Sequence, residues 1–271
     1  MTAAARTVAP DATGAAMAAP ALAVLPALVG HRGAAAVEPE NTVLSFRRGI
    51  AEGSQLLECD VHLSSDGVDA IIHDATIDRT AQDDSPLRTG AVADLTRAQL
   101  DRVLVGGGEH LPTLEQVLDV AVREDGTRVP VLVEIKAPAA ARRVVEILTA
   151  YFPGEAWEGP TPPALVISFH AEALRAVKEA DARLPLLLTT TATSPEFFET
   201  AQELGVVQVG VRIADARQAD VVRARELGVE LNLWTARSEE ELARALELGC
   251  DTITVDDPAW ASTLLEELVN A

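Results

Sequence analysis

The feature that most restricts the fold of this sequence is a regular alternation of short apolar runs with amphipathic stretches. The runs begin near residues 27, 55, 131, 164, 186, 206, 229 and 252, and a segment with helical spacing follows each of them. Eight strand–helix units in 271 residues predict an α/β fold of the TIM (β/α)8 barrel type. An open doubly wound sheet is disfavoured, because the first predicted strand is not followed by a glycine-rich phosphate loop.

The alternation is interrupted once, after the second predicted strand. Residues 67–110 are mostly polar and glycine-rich, apart from a short extended run at 68–73. Apolar residues still recur there at helix-like spacing, at Leu95, Leu100, Val103 and Leu104. We therefore expect an insertion in the barrel rather than a linker between two domains.

The predicted barrel covers residues 27–271 and follows an Ala- and Pro-rich segment, residues 1–26, that we expect to be a disordered tail. This segment loosely imitates a secretory signal, but Asp11, Pro20 and the weak apolarity of alanine count against that interpretation. We expect a cytoplasmic protein. A secreted protein is the alternative if the segment is a signal peptide.

Charge and composition exclude several classes of partner. With 42 acidic and 22 basic residues the formal net charge is −20, which argues against nucleic acid or an anionic membrane surface. No apolar run approaches the roughly 18 residues of a transmembrane helix. The two cysteines, Cys59 and Cys250, are expected to be buried thiols rather than a disulfide. The sequence leaves the oligomeric state open.

The predicted strand at residues 55–62 carries three ionisable side chains at every second position. Because side chains alternate faces along a strand, Glu58, Asp60 and His62 point the same way. Burying two carboxylates and an imidazole is costly without compensation, and a hard divalent cation is the simplest compensation. The stretch therefore indicates an active site.

The predicted strand at residues 131–136 adds Glu134 and Lys136 on one face. Catalytic groups of such barrels lie at the carboxyl ends of the strands, so Glu134 should meet Glu58 and Asp60 at one mouth. Three carboxylates suit Ca²⁺ or Mg²⁺ with positions left for water and a substrate oxygen. The alternative is that Glu134 and Lys136 pair with neighbours at the barrel rim.

Two histidines and two cations complete the candidate site. His31 and His73 end extended segments, and because histidine titrates near neutrality they can divide the roles of general acid and general base. Arg32 and Lys136 are expected to hold an anionic oxygen, for which phosphate is the obvious candidate. Simple charge balance of the carboxylates is the alternative role for these two cations.

Short motifs with these residues occur in a fixed order along the chain. They are His31-Arg32-Gly33, Pro39-Glu40-Asn41-Thr42, Glu58-Cys59-Asp60-Val61, Ser65-Asp66-Gly67, His73-Asp74, Arg79-Thr80, Leu111-Pro112-Thr113-Leu114, Glu134-Ile135-Lys136 and Trp234-Thr235. In this order and at this spacing they resemble the glycerophosphodiester phosphodiesterase family. The similarity runs from about residue 27 to the C-terminus.

The resemblance implies a TIM barrel with a small insertion after the second strand, and hydrolysis of glycerophosphodiesters to glycerol 3-phosphate and an alcohol. By similarity, the metal ligands are Glu58, Asp60 and Glu134, the acid and base are His31 and His73, and the phosphate contacts are Arg32 and Lys136. Glu40 supports the metal directly or through water, and His62 is left with a supporting or substrate-contact role. Which histidine is the acid, and whether water or the substrate's own 2-hydroxyl attacks, stays open.

Two segments depart from the family's pattern. After Trp234-Thr235-Ala236 this chain has Arg237, where the family commonly has Asn. At residues 255–258 this chain has Val-Asp-Asp-Pro, where the family commonly has Thr-Asp-x-Pro. We expect neither departure to touch the metal or the histidines. Trp234 is expected to line the pocket near the alcohol or glycerol group, and barrel filling is its alternative.

Three other functions remain as alternatives at this stage. A lysophospholipase D-type lipid phosphodiesterase would use the same residues with a more apolar mouth. A non-catalytic barrel that binds a partner would be expected to lack at least one of the histidines or carboxylates, and all are present. A divalent-metal barrel enzyme acting on carboxylate substrates would not need His31-Arg32 and His73 together.

Overall fold

The structure is a computed structural model that describes residues 25–159 and 161–270, without the side chains of residues 268–270. The expected tail lies outside the described residues up to position 24, and so does the signal-peptide alternative. Among the described helices, none is both long enough and apolar enough to cross a membrane.

A closed barrel of parallel strands forms the centre of the described chain. Its sheet comprises β1 (Ala27–Gly30), β2 (Leu56–Leu63), β3 (Asp69–Ile71), β4 (Val131–Ile135), β5 (Ala164–Ser168), β6 (Leu186–Thr190), β7 (Gln208–Arg212), β8 (Glu230–Ala236) and β9 (Thr252–Val255). Parallel pairing runs from β2 through β4 to β9, and β1 pairs with both β9 and β2. Eight parallel strands therefore close on themselves, which confirms the predicted TIM barrel.

Helices surround the strands on the outside of the barrel. They are α1 (Val43–Ala51), α2 (Arg97–Leu100), α3 (Leu114–Val120), α4 (Ala141–Tyr151), α5 (Ala171–Ala180), α6 (Pro195–Leu204), α7 (Gln218–Leu227), α8 (Glu239–Leu248) and α9 (Pro258–Asn270). Thr42 begins α1, because its Oγ1 accepts from the backbone N–H of Ser45. The helices α6, α7 and α8 end at glycines in the left-handed conformation, as their sequence predicts.

The insertion follows β2 and has a small core of its own. Its strand β3 pairs antiparallel with β2, which confirms the extended run predicted there. The helix-like spacing of residues 95–104 yields only the four-residue α2, which a 3-10 turn at Val92–Asp94 precedes. Leu100 and Val103 are buried because apolar side chains from several turns converge on them in a separate cluster. This packing places His73 two residues beyond β3, beside the barrel mouth.

Side-chain alternation on β2 directs apolar side chains to the core and carboxylates to the inside of the barrel. Leu57, Cys59 and Val61 are fully buried in the large core between the strands and the helices. Glu58 and Asp60 alternate with them and so point into the barrel, as predicted. Cys59 and Cys250 are both buried free thiols, which confirms the prediction that they do not form a disulfide.

Candidate active site

Three carboxylates meet where β2 and β4 end. Asp60 and Glu134 are partners in the parallel register of the two strands, and Glu58 lies one inward-facing position earlier on β2. All three residues are buried, and one carboxylate oxygen from each lies within 4.8 Å of the other two. The barrel thereby brings together the three side chains that the sequence predicts as one acidic cluster.

Asp60 is the best-compensated member of this cluster. Lys136 Nζ lies 2.9 Å from its Oδ1, and Arg32 Nε lies 3.2 Å from its Oδ2. Asn41 Nδ2 also donates to Oδ2 at 2.7 Å. Burial alone would raise the pKa of Asp60, but Lys136 and Arg32 outweigh it and lower the pKa to about 2. Asp60 is therefore a carboxylate at neutral pH.

Glu58 and Glu134 are shifted in the opposite direction. Burial, followed by the negative charge of Asp60, raises the pKa of Glu134 to about 7 and that of Glu58 well above its usual range. Lys136 Nζ donates to Glu134 Oε1 at 2.7 Å, and the Arg32 backbone N–H donates to Glu58 Oε2 at 3.0 Å. Within the described part of the chain, Glu58 Oε1 is buried with no hydrogen-bond partner.

These observations fit a divalent cation. Calcium binds oxygen ligands at about 2.3–2.6 Å, so two ligands of one ion lie no more than about 5 Å apart, in agreement with the span of the cluster. A cation would favour the ionised forms of Glu58 and Glu134 and would give Glu58 Oε1 a partner. The three carboxylates could therefore hold Ca²⁺ or Mg²⁺.

His31 is oriented by a carboxylate from the other end of the chain. Its Nδ1 lies 2.5 Å from Asp256 Oδ1, and because a carboxylate can only accept, the imidazole donates from Nδ1. Its Nε2 then faces the acidic cluster, 4.0 Å from Glu58 Oε2. Arg237 Nε donates to the other oxygen of Asp256. Burial lowers the pKa of His31, and the hydrogen bond with Asp256 opposes this.

This contact corrects one expectation from the sequence. Segment 255–258 and Arg237 were expected not to touch the histidines, yet Asp256 bonds directly to His31 and Arg237 bonds to Asp256. The reason is strand order, because β9 pairs with β1 in the closed barrel and the first residues beyond these strands are adjacent. Asp256 follows β9 directly, just as His31 follows β1.

His73 is oriented by its neighbour in the insertion. Its Nδ1 lies 2.7 Å from Asp74 Oδ1, and Arg79 Nε donates to Asp74 Oδ2 at 2.6 Å. The hydrogen bond from Arg79 is the main reason that the pKa of Asp74 is lowered. Asp74 is thus the acceptor, and the imidazole presents Nε2 away from it.

The other two predicted supporting residues lie beside these groups. Glu40 receives Arg32 Nη1 at 2.8 Å and Arg79 Nη1 and Nη2 at 2.7 Å each, so the structure places it between two guanidinium groups. His62 Nε2 lies 3.2 Å from the backbone carbonyl of His73. His62 therefore contacts the segment that carries His73 and does not line the cavity.

A cavity at the barrel mouth connects the predicted groups. Its polar end is lined by the two histidines, by two carboxylates of the acidic cluster and by both cations: His31, His73, Glu58, Glu134, Arg32 and Lys136. Leu132, Ile167 and Leu187 form an apolar wall, and Phe169 and Trp234 meet edge to face with their ring centroids 5.4 Å apart. Trp234 thus lines the cavity, as predicted.

Several residues of the site were not predicted as functional. Asp74 and Arg79 stand in motifs that the sequence singles out, but their spacing gives no indication of what they contact. Asn41 also stands in one of these motifs, and its contact with Asp60 was not predicted. Asn41 and Arg32 have positive φ angles of 59° and 50° in the loop after β1, a conformation that is uncommon outside glycine and clusters at functional sites.

Comparisons with known proteins agree with the geometry. The glycerophosphoryl diester phosphodiesterase family matches residues 31–260. A glycerophosphodiester phosphodiesterase from Caldanaerobacter subterraneus is 27% identical over 89% of this chain and 98% of its own length. Another, from Bacillus altitudinis, is 26% identical over 89% of this chain and 98% of its own.

Solved structures share the fold. A phosphodiesterase from Oleispira antarctica, in complex with the product sn-glycerol-3-phosphate, superposes with a TM-score of 0.79 at 22% identity. The match covers 89% of this chain and 97% of the other. A Thermotoga maritima glycerophosphodiester phosphodiesterase superposes with a TM-score of 0.69 at 23% identity, over 89% and 99% of the two chains.

Proposed function

This chain belongs to the glycerophosphoryl diester phosphodiesterase family, and on that premise we propose that it hydrolyses glycerophosphodiesters to glycerol 3-phosphate and an alcohol with the help of a divalent cation. One observation carries the proposal. Two imidazoles, each held at Nδ1 by an aspartate, line the same cavity as Glu58 and Glu134, two members of a cluster of three buried carboxylates.

The residues we assign to the cation are Glu58, Asp60 and Glu134, and either Ca²⁺ or Mg²⁺ suits an all-oxygen set. When bound, a divalent cation supplies positive charge that stabilises the negative charge developing on the phosphoryl oxygens. Lys136 and Arg32 border the cavity and are assigned to phosphate oxygens. Their contacts with Asp60 and Glu134 also balance the charge of the carboxylates. We therefore assign both roles to these cations, charge balance and phosphate binding.

The two histidines divide the proton transfers. One accepts the proton of the attacking hydroxyl at Nε2, and the other donates a proton from Nε2 to the oxygen of the departing alcohol. Asp256 and Asp74 hold Nδ1–H of their respective histidines, which fixes the tautomer that leaves Nε2 available. Trp234 and Phe169 cover one side of the cavity and are assigned to the carbon groups of the substrate.

The alternatives are less well supported. The gathered histidines and carboxylates favour an enzyme over a non-catalytic binding module. The matched relatives carry glycerophosphodiester phosphodiesterase names, which favours a glycerophosphodiester over a lysophospholipid or a carboxylate substrate.

The proposal is tested by measuring glycerol 3-phosphate release from glycerophosphocholine. Chelator-treated protein should be inactive and should recover activity on addition of Ca²⁺ or Mg²⁺. Thermal unfolding provides a readout that is independent of turnover, because an ion that binds only the folded state at about 100 times its Kd stabilises it by roughly 2.7 kcal/mol. That corresponds to a rise in Tm of about 5 °C or more for a chain of this size.

Glu134→Gln should abolish both the activity and the ion-dependent rise in Tm, because it removes one ligand charge. Glu146→Gln is the matched control, since Glu146 is exposed and its carboxylate pairs, within the described part of the chain, with Arg142 on α4. Full activity of the chelator-treated protein would refute the metal requirement. Lack of glycerol 3-phosphate release from any glycerophosphodiester in the presence of either ion would refute the reaction.

A further inference from the structure

We propose that Arg79, which does not line the cavity, is a positioning residue that fixes His73 against the barrel by joining Asp74 to Glu40. The inference rests on the proposed function, because it requires His73 to act as the acid or the base. It also gives a physical role to three sequence motifs, since Glu40, Asp74 and Arg79 each belong to one of them.

The guanidinium of Arg79 uses all three of its nitrogens. Nε donates to Asp74 Oδ2 at 2.6 Å, while Nη1 and Nη2 donate to the two oxygens of Glu40 at 2.7 Å each. A planar fork is suited to such a bidentate contact, and it is held more rigidly than a single point charge would be. Arg79 therefore fixes the separation and the orientation of two carboxylates from different parts of the chain.

Each carboxylate transmits this contact to a group of the active site. The far oxygen of Asp74 holds Nδ1 of His73 at 2.7 Å. Oε1 of Glu40 also receives Nη1 of Arg32 at 2.8 Å, and Arg32 in turn approaches Asp60. A continuous series of charge-assisted hydrogen bonds thus runs from His73 in the insertion to Arg32, which forms an ion pair with Asp60 of the acidic cluster.

His73 needs this support because it does not stand on a barrel strand. It follows β3 by two residues, and its side chain is 35% exposed, against 14% for His31. His62 contacts the backbone of His73 but leaves its ring unrestrained. Without Arg79, Asp74 would lose its link to the barrel and the imidazole could rotate away from the cavity.

The first experiment measures kcat and KM of Arg79→Ala with glycerophosphocholine under saturating divalent cation. We expect kcat to fall about 10- to 100-fold, the scale expected for a catalytic group misplaced by about 1 Å. Arg88→Ala is the matched control. Arg88 lies in the same insertion and pairs with the exposed Asp83, so its kcat should stay within about twofold of that of the native protein.

The second experiment separates positioning of His73 from a general loss of structure. If Arg79 acts through His73, the double variant His73→Ala/Arg79→Ala should be no slower than His73→Ala alone. Guanidinium ion added in solution should restore part of the activity of Arg79→Ala and none to His73→Ala. Arg79→Lys should recover little, because one ammonium cannot make the bidentate contact with Glu40 and reach Asp74.

Several results would overturn the assignment. They are a near-native kcat of Arg79→Ala, or multiplicative losses in the double variant. If Arg79→Ala does not fold, Arg79→Lys carries the same prediction, a loss of kcat that disappears in the His73→Ala background. A native protein without phosphodiesterase activity would overturn the proposed function as well, whereas an active native protein with an unaffected Arg79→Ala variant would overturn this assignment alone.

Discussion

His31 and His73 are held by the same kind of contact, but different parts of the molecule supply it. Each imidazole donates from Nδ1 to an aspartate, and each aspartate receives the Nε of an arginine. For His31, the aspartate comes from position 256, 225 residues along the chain, and is brought near by the pairing of β1 with β9. For His73, the aspartate is the next residue, within the insertion.

The two arginines differ accordingly. The side chain of Arg237 donates to Asp256 through Nε and makes no other hydrogen bond to the described residues. Its backbone N–H donates to Glu241. Arg79 binds two carboxylates and ties the insertion to the loop after β1. A histidine at the end of a barrel strand is positioned by the barrel itself, whereas a histidine in an insertion depends on ion pairs that add the missing restraint.

The largest effect is expected from substitutions that remove the catalytic imidazoles themselves. His31→Ala and His73→Ala should each lower kcat by roughly 10²- to 10⁴-fold, the usual contribution of a general acid or base. Steady-state glycerol 3-phosphate release measures this, and His110→Ala is the control because His110 is exposed in the same insertion. If either variant kept a near-native kcat, that histidine would not be the acid or the base, and only the other histidine would need to be positioned.

The aspartates test whether the barrel alone can position a histidine. Asp74→Asn should lower kcat by roughly 10²-fold, because it removes the negative charge that faces Nδ1 of His73 and also the ion pair with Arg79. Asp256→Asn should lower kcat by only about 10-fold, because β1 still holds the His31 backbone and the amide oxygen of Asn can still accept from Nδ1–H through a weaker, uncharged hydrogen bond. Both variants are measured side by side under saturating cation. Equal losses, or the reverse order, would show that β1 does not restrain His31 more firmly than the insertion restrains His73.

The smallest expected effect is at Arg237. Arg237→Asn breaks an ion pair whose arginine is 58% exposed. Such pairs contribute about 1 kcal/mol at most, so kcat/KM should fall no more than about fivefold. The same assay with Arg79→Ala in parallel gives the contrast. A loss of kcat/KM as large as that of Arg79→Ala would show that His31 depends on its arginine as much as His73 does.

Sequence patterns predicted the barrel because its determinants are local. A strand needs an apolar run of period two, a helix needs a period of 3.6, and eight alternations of the two close a barrel. The same period of two placed Glu58 and Asp60 inside and Cys59 outside. The insertion was predicted less well, since residues 95–104 satisfy the helical period but bury their apolar side chains among turns.

What the sequence by itself determined is the fold, the inward-facing carboxylates and which residue types could carry the chemistry. Only the tertiary structure decided which charged groups meet. Asp256 reaches His31 because the last strand closes against the first, and Arg79 reaches Glu40 across 39 positions because the insertion folds back over the barrel mouth. Hydrogen bonds and ion pairs act only over a few ångströms, so such contacts depend on chain closure that no local period encodes.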